Sequence, residues 1–232
     1  MTTLHILSGG AAFGLVSRLE APFKASTGCT LAGTFSAVGA MRDQLLAGAP
    51  CDVVILSAAL IAQLEASGHV LAGSARALGK VRTGIAVKAG SPQRKVSTPD
   101  ELRAALLQAS GIYFPDPIRA TAGIHFMNVL QQLGIDAQVA NRLRPYPNGA
   151  TAMAKMAKCP EAGVIGCTQV TEILYTAGVD LIAVLPKEFE LATVYTAAVS
   201  GKAANPSQAV ALVDLLSSAE AGALRLAGGF ED

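Results

Sequence analysis

The fold of this 232-residue chain is decided by its opening stretch, LHILSGGAAFGLVSRL, residues 4–19. Residues 4–7 have the apolar pattern of a short buried strand, and residues 15–19 repeat apolar side chains at helical spacing. Between them, Ser8-Gly9-Gly10-Ala11 predicts a turn with little side-chain bulk that leads straight into a helix. Such a turn either simply joins a strand to a helix in an α/β domain or presents helix N-terminal amides to a small anion.

Composition excludes several other classes of function. Hydrophobic residues make up 51% of the chain and charged residues 15%, which favours a well-buried α/β protein over a disordered one. The net charge of +1 and the lack of basic runs argue against a nucleic-acid partner. No apolar stretch approaches the ~20 residues needed to span a bilayer, so no membrane insertion is expected. The four cysteines form no C-x-x-C pair, and we expect free thiols, no metal and no cofactor.

Strand and helix patterns alternate along the whole chain, which indicates mostly parallel sheets flanked by helices. The predicted strands are residues 5–7, 31–35, 53–56, 83–87, 111–114, 163–165, 181–185 and 193–199. The predicted helices are residues 14–26, 37–47, 58–67, 99–108, 122–133, 150–157, 167–177 and 206–216.

Two long apolar strands, RTGIAVKAG (82–90) and ATVYTAAVS (192–200), predict where the chain passes between two lobes. We therefore expect residues 1–82 plus 195–232 to form the first lobe and residues 83–194 to form an inserted second lobe. Ligands of parallel α/β sheets lie beyond the carboxyl ends of the strands, so two facing lobes would enclose a ligand cleft.

Several segments resemble the bacterial molybdate-binding protein family. They are FSAVGAMRDQLLAGAPCDVVILSAALIAQLEASGHV (35–70), GKVRTGIAVKAGSP (79–92), PDPIRATAGIHFMNVLQQLGI (115–135), PEAGVIGCTQV (160–170) and SAEAGALRLAGGF (218–230). The resemblance covers essentially the whole chain. It implies the two-lobed, type 2 periplasmic-binding-protein fold, a small anionic ligand and, if the chain is exported, a transporter partner.

Three hydroxyl donors that the family uses for tetrahedral oxyanions are missing from this sequence. The resemblance places the first serine at Ala11, the serine-rich loop at Ser36-Ala37-Val38-Gly39, and the tyrosine at Gly166. Each lost hydrogen bond to a dianion costs about 1.5–3 kcal/mol. We therefore expect a larger organic anion, a di- or tricarboxylate, instead of molybdate.

Arginine is the natural bidentate partner of a carboxylate, and loop or hinge positions favour Arg82 and Arg119 over Arg42. The expected ligand contacts are Ser8, Gly9, Gly10, Ala11, Ser36, Val38, Gly39, Arg82, Arg119, Thr121, Ala122, Asn148 and Thr168. Each of the three arginines could equally be a solvated surface group. The polar residues Ser8, Thr121, Asn148 and Thr168 could equally be helix caps or turn residues. For Asn148, in the sequence YPNGAT, the turn is favoured.

Aconitate isomerase also resembles this family, which leaves an enzyme as the alternative. Moving a double bond within a tricarboxylate requires cationic clamps and a group that removes and returns a proton. His125, near a predicted helix start, is the main candidate for that group, with His5, Lys80 and Tyr146 behind it, and a half-buried structural histidine is the competing interpretation. If Met1 is the natural start we expect a cytoplasmic protein; if a signal peptide was removed, a periplasmic one.

Overall fold

The computed structural model describes residues 2–232 and contains nine strands and ten α-helices within that range. In chain order they are β1 (Thr3–Gly9), α1 (Phe13–Thr27), β2 (Thr30–Ser36), α2 (Val38–Leu46), β3 (Val53–Ser57), α3 (Ala58–Ala66), β4 (Arg76–Lys88), α4 (Pro99–Gln108), β5 (Ile112–Pro115), α5 (Thr121–Gln132), α6 (Asp136–Val139), β6 (Leu143–Tyr146), α7 (Gly149–Lys158), β7 (Ile165–Gln169), α8 (Val170–Tyr175), β8 (Val179–Val184), β9 (Ala192–Val199), α9 (Pro206–Ser217) and α10 (Gly222–Ala227). A single 3₁₀ turn, Gly10–Ala12, joins β1 to α1. This is the mixed α/β architecture that the sequence predicts.

The chain divides into two compact units, and strands β4 and β9 each run from one unit into the other. Unit 1 contains the residues up to Val81 together with Thr193–Asp232, and unit 2 is Arg82–Ala192. Among residues 2–232, no helix is both long and apolar enough to cross a membrane.

Unit 1 is built on a sheet with the strand order β2-β1-β3-β9. The first three strands are parallel and β9 is antiparallel to β3. A buried carboxylate stabilises this arrangement, because Asp52 accepts hydrogen bonds from the backbone amides of His5 (2.8 Å) and Asn205 (2.9 Å). The start of β3 is thereby tied to β1 and to the segment that leads into α9.

Unit 2 is built on a second sheet, in which β7, β5 and β6 are parallel neighbours in that order. Strand β4 pairs antiparallel with β7 on one side and with β8 on the other. The hydrophobic core of this unit contains apolar residues such as Ile85, Phe114, Phe126 and Ile165. In both units, therefore, three parallel strands end at one edge of the sheet, and each of the three is followed by a helix.

Two predicted elements of unit 2 are wrong. The helix predicted over 167–177 begins only at Val170, because Cys167, Thr168 and Gln169 are the buried end of β7 and pair with β4. The strand predicted over 163–165 lies further along, at Ile165–Gln169, for the same reason. In addition, β6 forms as an edge strand near residue 145, where no strand is predicted. An edge tolerates Pro145, which cannot donate to a ladder.

Candidate ligand-binding site

The carboxyl edge of the unit 1 sheet brings together the two glycine- and alanine-rich turns that the sequence singled out. Gly9, the last residue of β1, lies opposite Ser36, the last residue of β2. The turn at Gly10 and Ala11 and the first residues of α2, Val38 and Gly39, therefore start from adjacent strand ends. This is the edge at which ligands of parallel α/β sheets bind.

A side chain at Gly9 would not fit at this edge. A Cβ atom added there would lie 2.8 Å from Cγ1 of Val38 and 3.0 Å from Cε1 of Tyr195. Both neighbours are buried, so neither can move aside cheaply. Glycine at this position allows the end of β1 to pack directly against the start of α2 and the ring of Tyr195.

The helices that begin at the carboxyl edge of unit 1 are not capped by their own side chains. Ala12 precedes α1, Ala37 precedes α2 and Ser57 precedes α3, and none of the three makes a side-chain capping hydrogen bond. Helix α4 begins differently, because Oγ1 of Thr98 accepts a hydrogen bond from the amide of Glu101 at 3.2 Å. The first-turn amides at the carboxyl edge of unit 1 therefore receive no side-chain oxygen through a helix cap.

The hydroxyl of Ser8 does not extend beyond this edge. Ser8 is fully buried, and its Oγ donates a hydrogen bond to the carbonyl oxygen of Gly9 at 2.8 Å. The proton that the sequence analysis assigns to a ligand is thus used within the turn itself.

In unit 2, the loop between β5 and α5 displays a cation next to an uncapped helix start. The Oδ1 atom of Asp116 accepts hydrogen bonds from the amides of Ile118 (2.7 Å) and Arg119 (3.0 Å), which fixes the loop. Arg119 is exposed, and its guanidinium makes no hydrogen bond or ion pair with any residue in the range 2–232. Ala120 precedes α5 without a side-chain cap, so Arg119, Thr121 and the buried Ala122 form one cationic, donor-rich segment.

The start of α7, at the neighbouring strand end, is filled by the chain's own carboxylate. Glu172 is buried and accepts hydrogen bonds from the hydroxyl of Thr168 at 2.5 Å and from the backbone amides of Gly149, Ala150 and Gln169. Its contact with Gln169, three residues earlier, is the return half of a capping box on α8. One carboxyl group thus serves the first turns of two helices.

Burial favours the protonated form of this group. Removal from water raises the pKa of Glu172 above its usual value of 4.5, and the four hydrogen bonds that it accepts oppose the shift. Gly149 is required by the same packing, since a Cβ atom there would collide with Oγ1 of Thr168 and Oε2 of Glu172. Asn148 completes the start of α7 by accepting a hydrogen bond from the amide of Thr151 at 2.8 Å.

Arg82 and His125 occupy more exposed positions in unit 2. The Nη1 atom of Arg82 lies 3.8 Å from Oε2 of Glu190, at the long end of an ion pair, and both side chains are over a third exposed. Nε2 of the half-buried His125 lies 2.8 Å from the carbonyl oxygen of Phe189. Because a carbonyl only accepts, this contact places a proton on Nε2, so the neutral imidazole would carry its lone pair on Nδ1.

Sequence reasoning missed Glu172, the residue that most changes the interpretation of unit 2. The only local signal was its spacing, three residues after Gln169 at the start of a helix. That pattern predicts the contact with α8 but not the contact with α7, which comes from a segment more than twenty residues earlier.

Two surface pockets in unit 1 lie away from these strand ends. One, of about 260 Å³, is lined by residues that include Leu71, Arg76 and Asp214, and the other, of about 210 Å³, by residues that include Cys51 and His69. Neither contains a residue of the turns that follow β1 or β2, so they do not extend the candidate site.

The sequence profile of the bacterial extracellular solute-binding proteins matches residues 4–231 of this chain. The chain belongs to this family. The mixed α/β fold matches that of solved periplasmic binding proteins, and the resemblance noted in the sequence is confirmed.

Relatives of this solute-binding protein include an enzyme as well as binding proteins. Aconitate isomerase from a Pseudomonas species is 26% identical over 229 residues, covering 95% of this chain and 84% of the relative. The periplasmic molybdate-binding protein of Azotobacter vinelandii matches with a TM-score of 0.81 and 18% identity, over 99% of both chains. The sulfate-binding protein SubI of Mycobacterium tuberculosis H37Rv matches with a TM-score of 0.77 and 18% identity, over 99% of this chain and 86% of that one. At these identities the structural matches establish the fold.

Proposed function

We propose that this solute-binding protein binds a small organic anion, a di- or tricarboxylate, and not molybdate. The observation that carries the proposal is the segment at the start of α5, where the exposed, unpaired guanidinium of Arg119 adjoins a helix without a side-chain cap. A guanidinium offers paired donors that match the two oxygens of a carboxylate, and a helix N-terminus adds favourable potential. Both features favour a carboxylate over a neutral solute.

The proposed contacts are those expected from the sequence. They are main-chain groups of Gly9, Gly10, Ala11, Val38 and Gly39 with Ser8 and Ser36 in unit 1, and Arg82, Arg119, Thr121, Ala122, Asn148 and Thr168 in unit 2. The hydrogen bonds found at Ser8 and Thr168 reduce what their hydroxyls can offer, since both protons are held within the protein. The proposal therefore relies on backbone amides and on the two arginines.

The case against molybdate rests on the donors that a tetrahedral oxyanion needs. Alanine or glycine occupies positions 11, 37 and 166, so none of them carries a hydroxyl. Ser8 has a hydroxyl, but this hydroxyl already donates its hydrogen bond to the carbonyl oxygen of Gly9. An oxyanion held by few hydroxyls in a dry site loses about 1.5–3 kcal/mol for each missing donor.

Isothermal titration calorimetry of wild type and an Arg119→Gln variant tests the proposal, with citrate, cis-aconitate, trans-aconitate, malonate, sulfate and molybdate as probes. We expect the wild type to bind at least one polycarboxylate, and the Arg119→Gln variant to bind it about tenfold or more weakly. Arg18→Gln, an exposed arginine on α1, is the matched control and should bind like wild type. Binding of molybdate or sulfate alone would overturn the proposal.

A second function, isomerisation of an unsaturated polycarboxylate, is favoured by one specific feature of α5. His125 follows Thr121 by one helical turn, so the two lie on the same face of α5. The contact with Phe189 fixes the proton on Nε2, and Nδ1 keeps the lone pair that a general base requires. Such a base would take a proton from one carbon of an allylic system and return it to another, without redox change or cofactor. The 26% identity to aconitate isomerase supports this alternative.

Proton NMR of the protein mixed with cis- or trans-aconitate in deuterated buffer separates the two functions. An isomerase would interconvert the isomers, and a His125→Gln variant would stop the conversion while keeping most of the affinity. Unchanged spectra in the presence of demonstrated binding would leave the protein as a binding protein only.

We further propose that the protein acts in the periplasm and delivers its ligand to a transporter. The family description, an extracellular solute-binding protein, supports the location. The structural similarity to the substrate-binding protein of an ABC transporter from Agrobacterium tumefaciens supports the transporter partner. Cell fractionation of the native host tests the location, and ligand-dependent stimulation of a reconstituted transporter tests the partner. Recovery in the cytosolic fraction would overturn both.

A further inference from the structure

Two buried hydroxyl groups of unit 2 have no hydrogen-bond partner among residues 2–232. Thr83 on β4 and Thr171 on α8 are each at most 2% exposed, and Oγ1 of both is unpaired. A third such hydroxyl, Thr193, belongs to unit 1. Proteins satisfy nearly all of their buried polar groups, so an unpaired buried hydroxyl needs a physical explanation.

The backbone around Thr83 is fully paired, so only the hydroxyl remains. The amide of Thr83 donates to the carbonyl of Leu191 at 3.1 Å, and its carbonyl accepts from the amide of Leu185 at 3.0 Å. The strand needs only a β-branched residue at this position, and valine would fill it with the same shape. The hydroxyl therefore contributes nothing to the strand itself.

Both hydroxyls belong to the carboxyl edge of the unit 2 sheet. Thr83 lies opposite Gln169, the last residue of β7, and Thr171 follows Gln169 by two positions. Strand β7 is the parallel neighbour of β5, whose end leads to the Arg119 segment. The two residues that carry the unpaired donors thus lie at the edge where ligands of such sheets bind. Thr83 directly follows the proposed contact Arg82, and Thr171 lies three positions after the proposed contact Thr168.

We propose that the hydroxyls of Thr83 and Thr171 donate hydrogen bonds to the bound carboxylate. This inference rests on the proposed function. Thr83 and Thr171 would then take the role of the hydroxyl donors that are missing at positions 11, 37 and 166. Neither residue is predicted from the sequence as a ligand contact. The two hydroxyls add specificity for an acceptor group, and the Arg119 guanidinium supplies the charge.

Isosteric substitution tests this assignment, because a ligand donor and a structural hydroxyl respond in opposite ways. Thr83→Val and Thr171→Val should each leave the melting temperature of the ligand-free protein equal or higher, since a buried unpaired hydroxyl is replaced by a methyl group. Each should raise the Kd for the polycarboxylate that wild type binds by about tenfold. Thr176→Val is the matched control: its hydroxyl donates to the carbonyl oxygen of Glu172 at 2.6 Å, so it should lower the melting temperature and leave the Kd unchanged.

The outcomes separate this inference from the proposed function. If wild type binds a polycarboxylate and both valine variants bind it equally well, the inference is wrong and the proposed function stands. If both variants lose stability as Thr176→Val does, their hydroxyls have structural partners, and the inference is again wrong. If wild type binds no polycarboxylate in the panel, the proposed function fails and the inference fails with it.

Discussion

Helices α2 and α7 occupy equivalent places in the two units, yet their first turns are treated in opposite ways. Each follows a strand of a parallel pair, β2 or β6, and begins at the carboxyl edge of its sheet. Helix α2 begins after Ala37 with no capping side chain, whereas α7 begins with Asn148 as a cap and the Glu172 carboxyl against its amides. The comparison shows that a shared topology does not create equal anion sites: at α7 the chain already supplies a carboxyl group of its own.

This difference has a direct consequence for ligand recognition. An external anion at the start of α7 would have to displace Glu172, which is buried and held by four donors. At α2 and α5 no side-chain cap has to be displaced. We therefore expect an anionic ligand to depend on the starts of α2 and α5 much more than on that of α7.

The largest effect should come from removing the Glu172 carboxyl group from the start of α7. Glu172→Ala leaves the hydroxyl of Thr168 and three backbone amides without their acceptor in a buried place, so we expect the free energy of unfolding to fall by about 3 kcal/mol. Chemical denaturation of both proteins measures this loss. Glu188→Ala, an exposed glutamate in the same unit, is the control and should stay within about 0.5 kcal/mol of wild type.

The same variant sharpens the comparison through rescue by a small anion. Formate is small enough to replace the lost carboxyl group, so it should raise the melting temperature of the Glu172→Ala variant more than that of wild type, with chloride as the reference salt. An equal response of both proteins, or a loss no greater than that of Glu188→Ala, would show that Glu172 does not hold the start of α7.

A second, smaller effect concerns pH, because Glu172→Gln keeps the side-chain volume but cannot titrate. Since burial raises the pKa of Glu172 in the folded state, folding favours its protonated form. That stabilisation is fully present below pH 4.5, the unfolded value, and is lost as the pH rises towards the folded-state pKa. Burial and the nearby Glu172 also raise the pKa of Tyr175. This phenol therefore stays protonated over the pH range of the experiment and does not contribute to the difference between the two proteins.

Melting curves of wild type and Glu172→Gln from pH 4.5 to 8 check this sign. The melting temperature of wild type should fall relative to that of the glutamine variant as the pH increases, while titrations shared by both proteins cancel. A relative gain for wild type at higher pH would mean that the four hydrogen bonds outweigh burial and lower the pKa instead.

How far the sequence predicts this molecule depends on how local the signals are. Helix α4 is predicted at its observed limits because Thr98 and Pro99 mark its start within two residues. The strands β1 and β2 are predicted at the right places but too short: the predicted ends are residues 7 and 35, and the observed ends are Gly9 and Ser36. These local signals, together with the family resemblance, were sufficient for the fold class.

The candidate site was less predictable because its contacts join distant segments. Thr168 was expected near the beginning of a helix, but pairing with β4 holds it in a strand and turns its hydroxyl to Glu172. The direction of the Ser8 hydroxyl depends on a side-chain rotamer that no sequence pattern encodes. Arg119 was placed correctly in a loop before a helix, but its exposure depends on the turn made by Asp116.

The smallest expected effect comes from giving α2 the kind of cap that other helices have. Ala37 has φ −59° and ψ 138°, the extended conformation of a capping residue, so Ala37→Asp can place a carboxylate against the first-turn amides of α2. We expect a gain of about 1 kcal/mol in unfolding free energy and a weaker affinity for the carboxylate ligand, because the new cap accepts from the same amides and repels a second anion. Thr98→Ala is the mirror control on α4: it should lose about 1 kcal/mol and leave the affinity unchanged. If Ala37→Asp stabilises the protein without weakening binding, the amides of α2 are not ligand contacts, and recognition must then rest on the α5 segment and its arginine.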